Sequence, residues 1–302
     1  MIRLIKCEIL KIFKKISFRI LLLIILISSF LTCYISYKKV DNKYNQYPII
    51  EMADKRNLTD DYNKLATNIN KINSKSNIKL NKIIDNGVTL LIFSSIIIII
   101  ISSSILGNEI NKKSIKELLT KPYKRSKILI SKYLVAYIIT FLLSLLIFVS
   151  YVIFTSILTK INIFNLRDYM IFNKSIISVS YVIKYLIKYV INSIPIYFLS
   201  TFTIFLTTFI KNQKAIIPFN SVLFIMSPVI FNFFLSIKFK YIIYTFIPYL
   251  DLSIFKNIYS IYLLNIEYNI NFNIFLGIII LLTYSLFFII ISIKIFDKKD
   301  FY

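Results

Sequence analysis

The residues able to do chemistry in this chain are few, and they are the wrong kinds for catalysis. Histidine is absent, and Cys7 and Cys33 are the only cysteines among 302 residues. The usual general base, the usual zinc ligand and every His-containing triad are therefore missing. Two cysteines make neither a disulfide framework nor a Cys-based metal site. The three glycines, Gly87, Gly107 and Gly277, cannot form a phosphate-cradling loop, which needs two glycines five positions apart followed by Lys. What remains is a charged set gathered at residues 107–133, with eight Lys/Arg against Glu109 and Glu117. Its chemistry is charge pairing and docking, so this chain is not expected to be an enzyme.

Two long apolar runs position that stretch. Val88–Leu106 and Leu134–Leu158 carry no charge over 19 and 25 residues. At about 1.5 Å per residue, each is long enough to cross a hydrocarbon layer about 30 Å thick. A short basic connection between two spans faces the cytoplasm by the positive-inside rule. With 57% apolar residues and a mean hydropathy of +0.73, the whole chain reads as a polytopic membrane protein. A net charge of +23 would point to nucleic acid in a soluble protein. Here the basic residues flank apolar spans, where anionic lipid headgroups attract them at about 1 kcal/mol each, so membrane lipids and not nucleic acid are the expected partners.

The expected fold is an all-α transmembrane domain over residues 1–302, with six helices at about 18–36, 88–106, 134–158, 189–210, 215–235 and 274–293. Met1–Ser17 reads as an amphipathic interface helix, with Ile2, Ile5, Ile9, Ile12 and Ile16 recurring at steps of three and four. Outer loops are expected at 37–87, 159–188 and 236–273, without strands. The first carries ten Lys/Arg and six acidic residues, but loops of that length translocate largely regardless of charge. It includes the sequon Asn57-Leu58-Thr59, read as chance. Short re-entrant helices meeting near Pro248–Asp251 precede the last span. Lys211–Lys214 forms a basic inner turn, and both termini are placed in the cytoplasm of a cell-membrane protein. Pro195, Pro218 and Pro228 are expected inside the fourth and fifth helices, where they either loosen the helices or act as packed kinks.

Within 107–133, Ile115, Leu118 and Leu119 share one helical face, and Pro122 stops that helix. A second helix starts near Ser126. From the residues alone, this loop either only fixes topology or presents a short helix to a soluble partner. The order Glu109, Ser114, Leu118-Leu119, Pro122, Arg125, Lys132 resembles that in membrane permease subunits of ABC type-2 exporters. The N-terminal Glu8-Ile9-Leu10-Lys11 and the span spacing are also similar. Lys113-Ser114 stands where that family usually has Gly-Thr.

The resemblance implies a permease forming a translocation path, paired with a second permease copy or a homologous permease. It also implies a separate ATP-binding-cassette ATPase that carries ATP and Mg, this chain holding no cofactor or metal of its own. Coupling would fall to Glu109, Ser114, Ile115, Leu118, Leu119, Pro122, Arg125 and Lys132, with Glu8 and Lys11 on the interface helix. In that reading Glu109 sits at the start of a helix near Ile110–Leu119, with Ile115, Leu118 and Leu119 as apolar anchors for the ATPase. The alternative is a membrane scaffold, such as an immunity or assembly protein, without transport. A passive channel is a further possibility. A proton- or sodium-coupled carrier is disfavoured, because the six expected crossings hold no Asp or Glu, and their one Arg, Arg19, sits at the very edge of the first.

Overall fold

The computed structural model describes residues 2–42, 75–111, 114, 115, 120, 123–160, 167–172, 175–210, 215–252, 255 and 258–298. Among them are eight α-helices: α1 (Ile2–Lys14), α2 (Ile16–Asn42), α3 (Lys75–Asn111), α4 (Arg125–Thr159), α5 (Tyr181–Phe209), α6 (Ile216–Ser236), α7 (Ile258–Tyr268) and α8 (Ile274–Lys298). Six of them, α2 to α6 and α8, are long and apolar enough to cross a membrane. The chain is an all-α, multi-pass membrane protein with short helical pieces before its last span. These pieces are two 3-10 turns, Lys240–Tyr244 and Ile247–Tyr249, and then α7.

Several helices outrun their apolar cores. α3 begins at Lys75, well before Val88, and α5 at Tyr181, before Tyr189. Hydropathy measures what lipid tolerates, whereas the hydrogen-bond ladder continues wherever side chains permit it. One expected loop contains strands: β1 (Arg167–Phe172) pairs antiparallel with β2 (Ser175–Ser180), Phe172 opposite Ser175. β-Branched Ile176, Ile177 and Val179 favour that geometry, and the register leaves a two-residue connection. The loop residues 43–74, with the Asn57 sequon, and the turn Lys211–Lys214 lie outside the described residues.

The chain divides into two compact units, residues 1–24, 91–145 and 191–302 in one and 25–90 with 146–190 in the other. The first has an aromatic core in which Phe288 of α8 lies 4.7 Å from Phe205 and 5.1 Å from Phe202 of α5. Phe246 caps it, 5.0 Å from Phe198. Buried hydroxyls here turn back on their own helices, as Thr203 does to the carbonyl of Leu199. Such back-bonding satisfies polar groups that lipid cannot. In the second unit Tyr151 donates to the carbonyl of Ile83 at 3.0 Å. The ring of Tyr151 and the hydroxyl of Tyr185 close over Gly87, leaving no room for a β-carbon.

Helix ends in the first unit are well specified. α6 closes with Lys238 N–H bonded to the Leu235 carbonyl and Phe239 N–H to the Phe234 carbonyl. Lys238 takes φ 59°, a left-handed conformation that costs a residue with a β-carbon about 1–2 kcal/mol. α7 ends the same way, on Asn269 at φ 48°. Asn273 then caps α8, its Oδ1 accepting from Leu276 N–H at 2.8 Å. Pro195 and Pro228 lie inside α5 and α6. Pro218, expected either to loosen the fifth helix or to act as a packed kink, instead occupies its first turn, where a missing N–H breaks no intrahelical bond.

Candidate functional site

The amphipathic pattern of α1 turns Glu8 and Ile12 inward and leaves Ile2 exposed. Glu8 is a charge on the buried face of a surface helix, an arrangement that persists only with a partner. Two other elements supply it. Glu109 stands in the last turn of α3 and Lys132 in the third turn of α4, so all three charges converge beside the 107–133 connection.

Lys132 is 1% exposed. Its ammonium lies 3.2 Å from Glu8 Oε2 and 2.5 Å from Glu109 Oε2. The second contact is too poorly aligned for a hydrogen bond, so charge holds it. A long contact of 3.5 Å to the Ile105 carbonyl completes the surroundings of Lys132. Lys11, one turn on from Glu8, bonds the two outer oxygens: Glu8 Oε1 at 2.9 Å and Glu109 Oε1 at 3.2 Å. Two carboxylates and two ammoniums thus form a neutral four-membered knot. Burial works to raise the pKa of Glu8, but the Lys132 charge and the bonds from Lys11 and Lys132 outweigh it and hold the carboxyl below its usual range. For Lys11, burial pulls the other way from Glu8 and Glu109, whose charges and bonds keep its pKa above the ordinary value.

The knot joins Glu8, Lys11, Glu109 and Lys132, four residues that the sequence singles out in two stretches. Its placement of Glu109 corrects one expectation. Glu109 ends α3 and does not start a new helix, so the helix dipole works against it and Lys132 and Lys11 provide the compensation. A second correction concerns Ile115. It is 1% exposed, hence committed to the protein's own interior and not available as an outward anchor. Ser114 is half-buried in a turn. Leu118, Leu119 and Pro122 lie outside the described residues. Arg125 opens α4 and donates to the backbone carbonyl of Asp297 near the end of α8, 3.2 Å away.

Sequence reasoning missed the bond tying α4 to α8 deeper in the bundle. Tyr133 Oη and Ser292 Oγ are 2.7 Å apart, both buried. Neither residue carries a sequence signal, since tyrosine and serine are common throughout this chain. Among the described residues no group of three or more Cys, Asp or Glu side chains could hold a metal ion. The knot cannot do so either, because two ammoniums already occupy the carboxylate oxygens. Its capacity is mechanical: it fastens α1, the end of α3 and the start of α4 into one body around the basic connection.

A comparison with curated proteins finds no match. Residues 58–302 match the family described as "Protein of unknown function (DUF2705)", a match that includes Glu109 and Lys132 and begins after Glu8 and Lys11. That match covers most of the chain, which therefore belongs to the DUF2705 family.

Proposed function

We propose that this chain is the membrane permease subunit of an ATP-driven exporter, working with a separate ATP-binding-cassette ATPase and a second permease. The buried charge knot carries the reading. A permease that receives force from an outside ATPase needs its contact loop fixed to the spans that move. Glu8, Lys11, Glu109 and Lys132 meet that need by tying the interface helix to both helices that flank the 107–133 connection. The resemblance of Glu109, Ser114, Leu118-Leu119, Pro122, Arg125 and Lys132 to the exporter pattern supports the same assignment. In this account the basic connection and both termini face the cytoplasm of a cell-membrane protein, by the positive-inside rule.

With Ile115 turned inward, Leu118 and Leu119 are left as the apolar anchors for the ATPase, and Arg125 braces α4 against the end of α8. Buried apolar anchors dominate such interfaces, while rim lysines contribute little. Leu118→Asp should therefore abolish binding of the ATPase, and Lys116→Ala should leave it nearly unchanged. Both variants are first checked for normal membrane insertion and then assayed by co-purification and transport. A Leu118→Asp variant that inserts, binds the ATPase at full strength and transports would reduce the loop to a topological signal.

A further inference from the structure

The Schellman-type ends of α6 and α7 meet around an open cavity of about 370 Å³. That volume falls in the range of about 300–1,000 Å³ typical of small-molecule sites. Lys238 and Asn269, two of the three described residues held at positive φ, both line it; the third, Lys160, lies elsewhere. Lys240, Tyr241, Tyr244 and Asn271 complete the polar part of the wall. No acidic side chain lines the cavity. Among the described residues, neither Lys238 nor Lys240 has an acidic partner.

The charges decide what this cavity can hold. Each helix C-terminus contributes about −0.5 of an elementary charge, which helps to keep two ammoniums in place. Two lysines against two such ends leave roughly +1, so the site repels cations and attracts an anion. The aromatic side chains add a second feature. Phe239 and Tyr241 meet edge to face at 5.9 Å, and Tyr241 and Tyr244 are largely exposed. Aromatic residues of this kind collect at the depth of lipid headgroups. The cavity lies between the end of α6 and the start of α8, both long and apolar enough to cross a membrane, and the ends of such spans fall at headgroup depth.

Lys238 supplies an independent clue. Glycine is the favoured residue at this helix-cap position, yet a lysine holds it in a left-handed conformation. Strained backbone conformations cluster at ligand-binding sites, and of the two lysines held this way, Lys160 and Lys238, only Lys238 lines this cavity.

We propose that the cavity bounded by Lys238, Lys240, Tyr241, Tyr244, Asn269 and Asn271 binds a phosphate-bearing anion of the headgroup class. The two ammoniums pair with the phosphate oxygens, the Asn269 and Asn271 amides donate to it, and the tyrosine rings pack against the attached glycerol or acyl stem. The site is about 37 Å along α8 from the helix's other end, so it is separate from the charge knot.

The test uses the full chain purified in detergent and reconstituted in nanodiscs of phosphatidylglycerol or phosphatidylcholine. Bound lipid after detergent extraction is counted by mass spectrometry, with glycerol phosphate as a soluble competitor. The double variant Lys238→Gly/Lys240→Ala removes both charges, and glycine relieves the strained cap, so thermal stability without lipid should be unchanged or higher. Wild type should retain phosphatidylglycerol at least tenfold over phosphatidylcholine, and the variant should lose that preference. Displacement by millimolar glycerol phosphate identifies a soluble phosphate compound as a sufficient ligand, and retention in its presence identifies the lipid. Equal retention of both lipids by wild type with no binding of glycerol phosphate overturns the proposal. So does an unchanged preference in a folded double variant.

Discussion

Replacing Lys132 with methionine should destabilise the protein by about 3–5 kcal/mol, the usual cost of removing one partner from a buried ion pair. Methionine fills much of the same volume but leaves Glu8 and Glu109 facing each other with only Lys11 between them. Glu8 is 5% exposed, so water cannot take over. The triple variant Glu8→Gln/Glu109→Gln/Lys132→Met should recover most of the loss, because it removes the charges together with their desolvation cost. Lys11→Ala should cost under about 1 kcal/mol, since that side chain is half exposed and solvent screens its pairs. Thermal unfolding in detergent, with protease protection of residues 1–14, measures each effect. A Lys132→Met protein as stable as wild type, with α1 equally protected, would show that the knot does not hold the helix.

The same knot gives a pH dependence. Glu8 has a folded pKa below the ordinary 4.5, so its contribution is complete above that value and is lost as pH falls through the lowered one. Lys11 has a folded pKa above 10.5, so its smaller contribution is complete below that value and fades as pH rises beyond it. Protection of α1 should therefore be flat across neutral pH and fail first in acid.

The second large effect is expected at Gly277. A β-carbon there would run into the ring of Tyr249, which is fully buried. That ring cannot retreat easily, because Phe272 lies 5.2 Å away on one side and Phe255 stacks parallel to it at 6.3 Å. Gly277→Ala should cost about 1–3 kcal/mol through overpacking, and Gly277→Val more. Tyr249→Leu also destabilises, by leaving space. Combined with Gly277→Ala it should cost less than the sum of the two single changes, by about 0.5–3 kcal/mol, because each variant removes the other's conflict. Strict additivity in unfolding measurements would mean that α8 and the Ile247–Tyr249 turn do not touch at this point.

The six spans were legible because lipid imposes a simple rule on length and apolarity, which runs such as Val88–Leu106 obey. Their ends were less legible, as Lys75 and Tyr181 illustrate, because helices continue past the hydrocarbon on hydrogen bonds that hydropathy does not record. The hairpin of β1 and β2 was hidden in a stretch, 159–188, whose short apolar patches read only as an outer loop. At the candidate site, charge identity could be read but pairing could not. Glu8 and Lys132 are separated by 124 positions, and only the packing of α1 against α3 and α4 brings them together. Ile115 shows the converse error: helical spacing defines a face but does not say whether that face turns toward a partner or toward the protein's own core.

The most direct test of the proposed role is purification of the full chain from its native membranes under mild detergent, followed by an assay of ATP hydrolysis. The three glycines of this chain lack the spacing of a glycine-rich phosphate loop, and in the exporter account ATP hydrolysis belongs to another polypeptide. The exporter account predicts a stoichiometric P-loop ATPase whose retention is lost in Leu118→Asp and whose hydrolysis rises with the transported compound. A folded chain that purifies with no ATP-hydrolysing subunit would contradict it and favour a membrane scaffold.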